Sequence, residues 1–128
     1  MIENAKEFAE YELTEIERLV LRNGLLQWGG PALCTEELAI GMGFLSVSDL
    51  FTEGRRIMGA LDESRPMSHR DWARTLLATE IVFMSDTVGA GLEWEVVTGI
   101  SDSDTFITIR RLQGHLIASL LIGGFRTR

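Results

Sequence analysis

"LLATEIVFMSD", Leu76–Asp86, sets one carboxylate, Glu80, among apolar side chains, and no Lys or Arg follows it until Arg110. An α-helix turns about 100° per residue, so with Glu80 at the origin Ala73, Leu76, Leu77, Phe83, Met84 and Thr87 fall within about 60° of it. Asp71, Arg74, Thr75 and Ser85 fall on the opposite side. Glu80 therefore occupies the middle of the apolar stripe. Its neighbours three and four residues away are Leu76, Leu77, Phe83 and Met84, and none can neutralise it. A carboxylate so placed must gain donors from elsewhere in the chain or keep its proton.

The final helical segment offers such donors. Its stripe is Phe106, Ile109, Leu116, Ile117 and Leu120, with Gln113 in the middle and Arg110 at the edge. Two helices that each carry a polar group amid hydrocarbon are expected to meet there. The indole N–H of Trp28 and the backbone N–H groups of the "WGG" turn are alternative donors. Glu80 is then a hydrogen-bonded or ion-paired structural carboxylate, an exposed one on a helix rotated from this wheel, or a ligand-binding group.

Outward from this pair, the remaining pattern is helical. Ala5, Ala9, Leu13, Ile16 and Val20, widened by Phe8 and Leu19, predict an amphipathic helix over 3–23, stopped by Gly24, with Glu3, Glu7, Glu10 and Glu17 on a solvated face. Gly29-Gly30-Pro31 demands a turn. Thr35 predicts an N-cap for a short helix whose first turn carries Glu36 and Glu37. Ser46 with Asp49, and Ser68 with Asp71, mark two further helix starts. The second of these helices reaches about Thr87 and ends at "GAG". "SDSD", 101–104, opens the last helix, which runs to about Ile122. "LEWEVVTG" alternates Leu92, Trp94 and Val96, as a short extended segment near 92–98 or a loop would. The expected fold is all-α: one domain over 1–128, an irregular bundle of about five helices.

With 128 residues, 45% of them hydrophobic and 24% charged, the chain suits a globular domain that needs no disulfide. The lone Cys34 fits a reducing cytoplasm, and the acidic start is unlike a signal peptide. "LIASLLIGGF" is too short to cross a bilayer, which takes about 20 residues. The net charge of −7 disfavours nucleic acid and anionic membrane surfaces. It suits solubility alone, or a basic protein partner. The oligomeric state stays open, because the apolar last helix can pack within one chain or across a two-fold axis.

Catalytic chemistry has little to stand on. His69 and His115 belong to no metal-ligand spacing, Gly29-Gly30 leads into no Lys-Ser/Thr phosphate loop, and Cys34 carries no nucleophile signature. No catalytic residue, metal or cofactor is expected. A small-ligand site around Glu80 is the third functional possibility.

The stretch 35–59 reads Leu38-Ala39, Gly43-Phe44 at a turn, Ser46, Ser48, Leu50, Arg55-Arg56 and Gly59. In that spacing it resembles one half of the DNA-binding domain of the arabinose-regulator family of transcription activators. The resemblance implies a helix-turn-helix in which Ser46 to Arg56 enters a groove, with Ser46, Ser48, Arg55 and Arg56 facing DNA. A DNA-binding regulator is the second functional possibility.

Between Glu80 and Asp104 stand Asp86, Glu93, Glu95 and Asp102, with no Lys or Arg among them. Trp94 lies between two of these acids. Glu93, Trp94, Glu95, Asp102 and Asp104 are the expected partner-binding residues if Trp94 faces outward, the acids steering a basic protein and Trp94 anchoring it. The other reading, favoured by the usual burial of Trp, is that Trp94 packs inward and the acids serve helix N-termini and solubility. The leading functional expectation is a small acidic protein-binding module, of the immunity or antitoxin kind by functional analogy.

Overall fold

The computed structural model describes residues 8–9 and 12–122, with the side chains of 12–116. The chain is all-α. Helix α1 (Glu15–Leu26) is followed by a 3-10 turn (Gln27–Gly29), α2 (Glu36–Met42) and α3 (Val47–Asp62). Helix α4 (His69–Met84) comes next, then a second 3-10 turn (Gly91–Glu93), α5 (Trp94–Thr98) and α6 (Asp102–Ile122). Phe8–Ala9 (β1) pairs antiparallel with Met67–Ser68 (β2), Phe8 opposite Ser68. No helix among the described residues is long and apolar enough to cross a membrane.

The helix starts follow the capping chemistry. Thr35 Oγ1 accepts from Leu38 N–H, Ser46 Oγ from Asp49 N–H, Ser68 Oγ from Asp71 N–H and Ser101 Oγ from Asp104 N–H. Gly43 ends α2 in the left-handed region at φ 106°, where a side chain would be strained.

Three expectations need correction. The first helix begins at Glu15, not Glu3, and Phe8–Ala9 is extended. The start is fixed by a capping box the apolar count overlooked: Thr14 Oγ1 accepts from Glu17 N–H, and Thr14 N–H donates to Glu17 Oε1 at 2.9 Å. Glu17 is thus buried and not on a solvated face; Glu3, Ala5, Glu7 and Glu10 lie outside the described residues. Gly24, expected as a stop, lies inside α1, facing Thr79 of α4. Residues 92–98 are helical rather than extended, because their turn is set by an inward Trp94.

Helices α1 and α4 form the centre. Helix α1 packs on α3, α4 and α6, and α6 also lies along α4. Val20, Leu21, Ile57, Ala78, Val82, Leu112 and Leu116 are buried at this centre. The α4 wheel drawn around Glu80 is displaced. The most completely buried positions of α4 are Thr75, Ala78, Thr79 and Val82, each 0% exposed. They sit against α1, on the side that hydropathy alone assigns to solvent. Helix α6 covers part of the remaining surface, so α4 is enclosed on two sides.

Candidate functional site

The Glu80 carboxylate meets α6 as expected. Gln113 Nε2 donates to Glu80 Oε2 at 2.7 Å, and Arg110 Nη1 donates to Gln113 Oε1 at 3.0 Å. The Arg110 guanidinium also stacks 5.1 Å from the Phe106 ring centroid, so it reaches Glu80 only through Gln113. Glu80 is half-buried rather than sequestered, and Arg110 is exposed. Trp28 does not join them: its indole N–H donates to the Ala78 carbonyl at 3.3 Å. The "WGG" turn is also engaged elsewhere, with Gly30 N–H on the Gln27 carbonyl. The cleft bounded by Glu80, Phe83, Met84, Phe106 and Gln113 holds about 160 Å³. That is below the roughly 300 Å³ at which small-molecule pockets begin. Glu80, Gln113 and Arg110 form a hydrogen-bonded clasp between α4 and α6. Glu80→Gln keeps a carbonyl oxygen for Gln113, so stability should fall by less than about 1 kcal/mol in urea unfolding.

The 35–59 stretch does form a helical hairpin, α2 and α3 joined at Gly43–Ser46. Of its two arginines, Arg56 is held by carboxylates and Arg55 is exposed. Arg56 Nη2 donates to Glu53 at 2.7 Å and to Asp71 at 2.9 Å, and these bonds hold its guanidinium further into the charged form. Arg74, 6% exposed, donates to Glu53 at 2.6 Å, to Asp71 at 2.9 Å and to the Gly43 carbonyl at 3.1 Å. Its guanidinium also covers the Phe44 ring at 4.6 Å. Arg74 and Asp71, placed on the solvent side by the wheel, are thus buried as an ion pair that ties α4 to the α2–α3 turn. Of the expected DNA-facing set, Ser46 is a helix cap and Arg56 is spent on this network; Ser48 and Arg55 remain exposed. Within that set Arg55 is the exposed cation that no carboxylate engages among the described residues.

Cys34 is half-buried, and its thiol is pushed up by burial and by nearby Glu36, the opposite of an activated nucleophile. Among the described residues no three His, Cys, Asp or Glu side chains converge on a metal site.

The face built by α5 and the start of α6 has a different character. Trp94 is fully buried. Its indole N–H donates to Thr105 Oγ1 at 2.8 Å, and its ring meets Phe83 edge-on at 5.5 Å between centroids. Trp94 is therefore no partner anchor, because it spends both its polar tip and its ring inside the core. With one inward residue per turn, a five-residue helix has to turn the others out. Leu92 and Val96 are 82% and 84% exposed, and Val97 is partly so. Glu93, Glu95, Asp102 and Asp104 are exposed as well. Glu95 Oε1 accepts from Asp102 N–H at 3.4 Å, which ties α5 to the α6 start. Among the described residues no ion pair engages any of these four acids. Asp86 plays another part, its Oδ1 accepting from Leu92 N–H to shape the loop.

The four acids lie at the surface, and Trp94 takes the inward of its two expected placements. Leu92 and Val96 could be found once α5 is known to be helical, since both lie far from Trp94 around the helix axis. Comparison with protein-family models, with curated proteins and with solved structures returns no match.

Proposed function

We propose that the chain is a protein-binding module that receives a basic partner on the α5 face. The observation that carries this reading is the near-complete exposure of Leu92 and Val96 together with four exposed carboxylates that hold no ion pair among the described residues. Scattered surface hydrophobes are ordinary, but two only four residues apart, on the second 3-10 turn and the short helix it leads into, with acids about them, would form an apolar centre with a polar rim. The acids would speed encounter with a cationic surface, and the aliphatic pair would supply contact area once it is desolvated. Masking of a basic protein, as immunity and antitoxin proteins do, is the activity this arrangement suits best. The analogy is functional and rests on charge, not on a shared motif.

The charge half of this reading is tested by neutralisation. Glu93→Gln with Glu95→Gln leaves the Asp102 and Asp104 positions at the α6 N-terminus intact. The pair should slow association with the partner and flatten its salt dependence, with little change in melting temperature. An unchanged salt dependence of complex formation would remove the acids from the interface.

A further inference from the structure

A second and larger cleft, of about 650 Å³, opens between the start of α1, the end of α3 and the start of α4. Its volume is within the range of small-molecule pockets. The described residues lining it include Arg18, Leu13, Leu61, Arg65 and Trp72, and Glu12 stands on the same lining. None of the α5 face residues takes part.

Arg18 is the anomaly. A guanidinium is charged at every ordinary pH, and its N–H groups need acceptors when enclosed. The Arg18 Nη1 is enclosed and has no hydrogen-bond acceptor among the described residues. The cations Arg22, Arg56, Arg65 and Arg74 each hold a carboxylate. In a chain with 19 acids and 12 bases, leaving a partly buried arginine unanswered is not a matter of acid shortage. Arg65, the other cation on the lining, is already paired with Glu63 at 2.7 Å. Arg18 is therefore the cation on the lining that holds no carboxylate among the described residues, and Glu12, which shares the lining, opposes a second negative charge.

We propose that this cleft binds a small organic monocarboxylate, its carboxylate on Arg18 and its apolar body along Leu13, Leu61 and Trp72. A single carboxylate matches the single uncompensated cation. A phosphate dianion brings one charge too many toward Glu12. The carboxylate also suits the planar fork of a guanidinium, whose parallel N–H groups can grip both of its oxygens.

The test is an NMR titration of the intact, nitrogen-15-labelled chain with phenylacetate, phenylacetamide and inorganic phosphate, reading the three tryptophan indole signals. Phenylacetate is expected to shift the Trp72 indole saturably at millimolar concentration, up to about 10 mM, a usual range for so small a ligand. The Trp28 and Trp94 indoles serve as internal controls. Phenylacetamide, with the same shape and no charge, should bind at least about tenfold more weakly, because a charge-assisted bond is lost. Arg18→Met keeps the aliphatic stem and removes the enclosed guanidinium. It should weaken phenylacetate by a similar factor while the melting temperature holds or rises. Absence of a saturable Trp72 shift, equal binding of the amide, or unchanged affinity in Arg18→Met overturns the proposal. So does a Trp72 response to phosphate stronger than that to phenylacetate, or a clear fall in the melting temperature of Arg18→Met. If Arg18→Met does not fold, the comparison of acid and amide on the native chain decides the matter.

Discussion

Gly24→Ala is expected to destabilise the protein by about 3 kcal/mol, the upper end of overpacking effects. A Cβ at Gly24 would stand 2.5 Å from Thr79 Cβ and 2.7 Å from its Cγ2, and closer still to Oγ1. Thr79 is fully buried and its hydroxyl is already committed to the Thr75 carbonyl at 2.8 Å, so it cannot swing away cheaply. The two central helices must separate, and that loosens Val20, Leu21 and Val82 together. Urea unfolding should show a lower midpoint with an unchanged slope. Thr79→Gly in the same background removes the opposing atoms, so the double variant should be more stable than Gly24→Ala alone. A coupling of at least about 1 kcal/mol is expected. Full tolerance of the alanine would contradict the α1–α4 contact.

Arg74→Met is the second large effect, again about 3 kcal/mol, because it strands buried partners. Asp71 would keep only Arg56, whose side chain is 46% exposed, and the Gly43 carbonyl would lose its closest guanidinium donor. Removing the stranded charge as well should help. Arg74→Met with Asp71→Asn is expected to unfold at higher urea than Arg74→Met alone. Glu53 adds a pH signature. Hydrogen bonds from Arg56, then from Arg74, hold its carboxyl below the ordinary value of 4.5. A depressed folded-state value contributes stability that is present above 4.5 and lost as the pH falls through the folded value. Glu53→Gln should therefore flatten the acid side of the stability curve below that pH. An unaltered acid limb would contradict the network.

How far the sequence could be read depended on which force set each feature. Local signals were legible: Thr35, Ser46, Ser68 and Ser101 each cap a helix through bonds within four residues. The meeting of Glu80 and Gln113 was also legible, since two polar groups among hydrocarbon on different helices have few other ways to be satisfied. The orientation of α4 was not. Its innermost face is built from Thr75, Ala78 and Thr79, which are buried because Gly24 lets α1 come close and not because they are strongly apolar. Hydropathy therefore favoured the Leu76–Met84 side, although Met84 is 66% exposed. The Arg74–Asp71 pair was hidden for the same reason, charge being read as exposure. At α5, alternation of Leu92, Trp94 and Val96 suggested extended backbone. One hydrogen bond to Thr105 and the core around Phe83 settle a short helix instead, through contacts a local pattern does not carry.

The α5 face is tested most directly by removing its aliphatic centre and keeping its charge. The measurement is the dissociation constant of the complex between the intact chain and the basic protein proposed to bind it, once identified and purified, compared for the native chain and for Leu92→Ser with Val96→Ser. Both side chains are exposed in the free protein, so melting temperature should hardly change. If they form the contact centre, affinity should fall by about a hundredfold, the scale of losing a small hot spot. Equal affinity in the native and doubly substituted chains would contradict a binding role for this face.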